Sequence, residues 1–74
     1  MKNDEQTDVF CRNVKKLRED SGLSKKDMAS LLGIGTASLE EIERGIMPRR
    51  LTVKVIFRLT ERFNIRPSEL FTHL

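Results

Sequence analysis

Three glutamates, Glu40, Glu41 and Glu43, crowd the stretch LLGIGTASLEEIERG, which holds no lysine or arginine before Arg44. Paired carboxylates can serve as a general acid and base. Neighbouring helical positions point in different directions, however, so Glu40 and Glu41 do not converge on one reacting atom. The lone histidine, His73, stands next to the last residue, so neither a metal cluster nor a histidine-based dyad can be assembled around it. Cys11 is the single cysteine. It is read as a small buried residue rather than a reactive thiol; it permits no intrachain disulfide and fits a cytoplasmic setting. Gly33 and Gly35 punctuate the chain rather than forming a phosphate-cradling loop. An enzyme is therefore not expected, and no cofactor or small-molecule ligand is indicated.

The cations lie apart from these carboxylates. Lys25 and Lys26 are adjacent, and residues 44–66 carry Arg44, Arg49, Arg50, Lys54, Arg58, Arg62 and Arg66 against only Glu61. The formal net charge of +3 permits an anionic partner without demanding one.

The elements that must position these groups read as short helices. Phe10, Val14 and Leu17 recur at helical spacing over residues 7–20, and Gly22 suits the left-handed turn that ends such a helix. Ser24 can cap a second helix, with Asp27 three residues later in a weaker form of the capping box. Met28, Leu31 and Leu32 supply its apolar face, small Ala29 admits a close neighbour, and Gly33 ends it. Ile34 plugs the core. A third helix runs from about Thr36, burying Leu39 and Ile42, until Gly45 stops it. Pro48 marks a loop in which Arg49 and Arg50 are solvated. Thr52 can cap a fourth helix, for which Val53, Ile56, Leu59, Thr60 and Phe63 form the predicted stripe. Asn64 ends it, and Ile65 is a second plug. Pro67 opens a fifth short helix with Glu69 near its positive end, and Leu70, Phe71 and Leu74 turn inward. No strand alternation, internal repeat or low-complexity tract is present.

The chain of 74 residues, 38% hydrophobic and 34% charged, suits one small all-α domain over residues 9–74 behind a flexible polar lead-in at residues 1–8. No apolar run is long enough to span a membrane and the lead-in lacks the apolar core of a signal peptide. A core this small is marginal, which makes a homodimer a reasonable source of added stability.

With the helices placed, KKLREDSGLSKKDMASLLGIGTASLEEIERG followed by FRLTERFNIRPSELF resembles the Cro/repressor-type, lambda-repressor-like helix-turn-helix domains. The likeness covers residues 10–71. It implies a compact five-helix fold in which helices two and three form the helix-turn-helix, residues 23–32 crossing the backbone of double-stranded DNA and residues 36–44 entering the major groove. Base-facing positions would then be Thr36, Ala37, Ser38, Glu40 and Glu41, and phosphate contacts would come from Lys25, Lys26, Arg44, Arg49, Arg50 and Lys54. Lys25 replaces a glutamine common in the family. None of the base-facing positions is arginine, so bidentate reading of guanine is not open to this helix. Thr36 and Ala37 can touch thymine methyls, and Glu41 can accept from cytosine N4. Glu43 corresponds to a buried family glutamate that pairs with an arginine of helix one, here Arg18. Breaking such a buried pair typically costs about 3–5 kcal/mol.

Two functions compete. A transcriptional regulator binding an operator, as a dimer, is favoured by the basic segment. A protein-interaction module or antitoxin-like protein on the same fold is favoured by the acidic third helix.

Overall fold

The computed structural model describes residues 5–46 and 52–72. Among them are four α-helices, α1 (Glu5–Asp20), α2 (Lys25–Leu32), α3 (Thr36–Glu43) and α4 (Thr52–Phe63), then a 3₁₀ helix (Pro67–Phe71), and no strand. The fifth helix expected from sequence is thus a 3₁₀ turn, not an α-helix. Pro67 opens it, and a segment of only five residues is of the length at which the tighter i→i+3 pattern occurs. The helix α1 starts at Glu5, so residues 5–8 of the lead-in expected over residues 1–8 are helical. None of the described helices is long and apolar enough to cross a membrane.

The core gathers one face of every element. Phe10, Cys11 and Val14 of α1 meet Met28, Ala29 and Leu32 of α2, Leu39 and Ile42 of α3, Val55 and Leu59 of α4, and Leu70. Leu17, Ile34, Ile65 and Phe71 close it from the sides, and the Phe71 ring stacks on Phe10 at 5.4 Å. Of the stripe expected on α4, Leu59 is buried, Ile56 and Phe63 pack against the core and Thr60 is half-buried, but Val53 does not belong to it. Val55 is fully buried in place of Val53, which is 79% exposed, and Phe57 is also solvent-facing. At about 100° per residue, Val53 and Val55 lie on nearly opposite sides of a helix, so only one of them can reach the core.

Local chemistry sets the joints. The Ser24 hydroxyl accepts the Asp27 N–H at 3.0 Å and starts α2. Gly33 ends it with φ 72°, and the Ile34 N–H reaches the Ala29 carbonyl at 2.9 Å. A left-handed residue at this place turns the chain sharply enough to begin α3 within three residues. At the far end, the buried Asn13 amide donates to the carbonyls of Leu70 and Thr72, at 2.8 and 2.6 Å, and clasps the 3₁₀ segment to α1.

Candidate nucleic-acid interface

The helix α3 is held by α1 and α2 with its outer face free. Leu39 and Ile42 point into the core while Thr36, Ala37, Glu40, Glu41 and Arg44 are exposed. Ser38 is half-buried, on the flank beside Ile42, and so stands apart from the other four positions expected to face bases. The N-terminus of α3 begins at Gly35, whose lack of a side chain leaves the first amides without a side-chain cap.

The three glutamates of α3 have three environments. Glu43 accepts two hydrogen bonds from Arg18, at 2.6 Å to Nε and 3.1 Å to Nη2. Both side chains are largely buried, at 13% and 5% exposure. Arg18 spends a further donor on the Leu23 carbonyl at 3.1 Å, so one guanidinium joins α1, the turn before α2, and α3. The hydrogen bonds to Glu43 push the Arg18 pKa up from its ordinary value, against the opposing effect of desolvation; the group stays charged. Glu40 is exposed and lies 3.9 Å from the Lys25 ammonium at the start of α2. Glu41 has no ion-pair partner among the described residues.

The cations expected at phosphates divide as well. Lys25 and Lys26 open α2 and are exposed, as is Arg44 at the end of α3. Lys54 is exposed too, but its ammonium donates to the Gly33 carbonyl at 2.9 Å and thereby ties α4 to the helix-turn-helix turn. An ammonium carries three donors, so two remain. Arg49 and Arg50 lie outside the described residues, as do His73 and Leu74.

A groove of about 460 Å³ runs between α1, α3 and the start of α2, and the described residues that line it are all charged: Lys15, Arg18, Glu19, Lys25, Glu40, Glu43 and Arg44. Sequence reasoning overlooked Lys15. Its spacing from Arg18 on α1, close to one helical turn, was the available signal. The pairing of Lys25 with Glu40 had no local signal, because it depends on how α2 and α3 are set against each other.

Cys11 is buried, and burial together with the nearby Asp8 charge pushes its thiol up to about 11. A thiol so raised is a poor nucleophile at neutral pH.

The arrangement is two short helices joined by a glycine turn, with the second helix presented outward and bolted to α1 from behind. A helix-turn-helix family model matches residues 14–70, a span that takes in the Arg18–Glu43 pair, both motif helices, α4 and Leu70. No curated protein and no solved structure matches the chain. Over most of its length, then, in the glycine turn, the exposed second helix and the strut behind it, this chain belongs to the Cro/repressor-type helix-turn-helix family of DNA-binding domains.

Proposed function

We propose that the protein is a sequence-specific transcriptional regulator that docks α3 in the major groove of an operator and does so as a homodimer. The observation that carries this reading is the presentation of α3: its outer face is exposed while Arg18 and Glu43 fix it from behind. A rigid helix of this kind can be laid into a groove without reorganisation. Lys25, Lys26 and Arg44 flank it and supply the phosphate contacts, with the remaining donors of Lys54. Thr36, Ala37 and Glu41 meet base edges. The dimer is supported by Val53 and Phe57, exposed at 79% and 61% one turn apart on α4; an isologous contact would remove them from water. Such a regulator works where the DNA is, in the cytoplasm.

Selection of bound duplexes from a random pool at low salt tests the proposal. The expected result is an enriched palindrome, whose symmetry reports the dimer and whose half-site spacing reports its geometry. Binding of the selected duplex should weaken steeply between about 50 and 200 mM salt, with a log–log slope of roughly −0.9 per neutralised phosphate. Absence of any retained duplex at the lower salt sinks the reading in favour of a protein-interaction module, which the Glu41 carboxylate on the outer face of α3, without an ion-pair partner among the described residues, would suit.

A further inference from the structure

We infer that Glu40 is a specificity-determining counter-charge for Lys25 rather than a reader of base edges. It screens that lysine from phosphate backbones in general and gives it up only when docking delivers a phosphate to the start of α2. The inference rests on the DNA-binding reading above and assigns Glu40 a role different from the base-facing one expected from the resemblance.

The geometry supports it from both sides of the pair. The Lys25 Nζ lies 3.9 Å from the Glu40 carboxylate, and the two side chains are 48% and 50% exposed. Both line the charged groove between α1 and α3, where Lys15 and Arg44 also stand. Among the described residues Lys25 is the ion-pair partner of Glu40, and Glu41, one position on, is the carboxylate of α3 without one.

The strength of the contact decides what it can do. A long, half-exposed pair is weak and readily exchanged. A phosphate held in register can take Lys25 over at little cost. A duplex met at random, by contrast, sees a neutralised pair and less net attraction, because non-specific affinity follows the free charge presented to the backbone. The Arg18–Glu43 pair cannot act in this way, since it is largely buried and bidentate. Two glutamates three positions apart on α3 thus have opposite duties, one permanent and one exchangeable.

A double-mutant cycle with Glu40→Gln, Lys25→Gln and the double variant tests the inference on non-specific duplex, on the selected duplex and on a heparin column. All three variants should melt like the wild type, because the pair is exposed. In the wild-type background, Glu40→Gln should tighten non-specific duplex binding by about 2- to 5-fold at low salt and steepen the salt slope by up to about 0.9, one more phosphate. The selected duplex should gain less, so the specificity ratio falls. In the Lys25→Gln background the same substitution should change binding by less than about 2-fold and leave the slope unaltered. Glu40→Asp, which keeps the charge, should behave as the wild type. Equal effects of Glu40→Gln with and without Lys25 overturn the inference while leaving DNA binding intact. A Glu40→Gln protein that loses discrimination at a single base pair also overturns it, in favour of base reading. If no variant retains duplex yet heparin elution shows the coupling, the DNA reading fails and the specificity role falls with it.

Discussion

Arg18 shows how one side chain can hold three parts of a small fold together. Its two bonds to Glu43 and one to the Leu23 carbonyl satisfy most of a fork that would otherwise be stranded beside the core. The pair borders an open groove, so water moderates the loss expected for a fully enclosed pair. Arg18→Ala should lower unfolding stability by about 2–3 kcal/mol. Lys16→Ala, which removes an exposed contact to Asp20 of 3.3 Å, should cost no more than about 0.5 kcal/mol. Urea denaturation of both variants checks this, and equal midpoints would refute it. Cys11 gives a pH dependence of definite sign. Its thiol is raised to about 11 in the folded chain, above the ordinary 9.0. Folding therefore favours the neutral form. The stability this contributes is complete below about pH 9 and is lost as pH rises through about 11. Stability measured across that window should fall in the wild type and fall less in Cys11→Ala. Alkylation of the native protein at neutral pH should be slow and become fast on unfolding.

At the scale of elements, the junctions matter more than the helices. Gly33 lies at φ 72°, and a Cβ there would stand 2.9 Å from the Lys54 Cε. Gly33→Ala therefore meets backbone strain that no rearrangement relieves, while the lysine tip can swing aside. The expected loss is about 1–2 kcal/mol, read as a lower melting temperature. The displaced Lys54 would also release the bond that ties α4 to the turn. Asn13 is the other junction. As a buried polar residue of α1 it holds two carbonyls near the chain's end. Asn13→Ala leaves both without that donor and should cost about 1–3 kcal/mol. Hydrogen exchange of residues 69–72 should accelerate well beyond that of α2, and uniform acceleration would argue that Asn13 is not a local clasp.

At the scale of the whole molecule, the charge and the apolar surface are sorted to different places. The side of α4 near the motif's turn carries Lys54 and Arg58, both close to Gly33. Val53 and Phe57 stand exposed on another side of the same helix. If α4 meets its copy there, Phe57→Glu should convert a dimer to a monomer in sedimentation equilibrium without lowering the stability of the monomer, because the ring is already in water. A wild type that sediments as a monomer, or a variant that stays dimeric, would count against that surface.

Much of this was legible in residue order alone. Apolar spacing, the Ser24 cap and the Gly33 stop are local features, and local torsional preference acts on the chain wherever it goes. They located α1 to α4 and gave no reason to expect histidine- or cysteine-based chemistry. The Arg18–Glu43 strut was reached only through the family resemblance. What only the tertiary structure decided is how the elements are rotated against one another: Val55 inward and Val53 outward, the Asn13 clasp, Lys54 on the Gly33 carbonyl, and Glu40 beside Lys25. The physical reason is that a helix's sequence sets its own periodicity but not its azimuth. Azimuth is settled by the whole core at once, through close packing of all the faces that meet there. The acidity of α3 belongs to that second class. Its composition raised an objection to DNA binding, and its packing shows two of the three carboxylates beside cations from other helices.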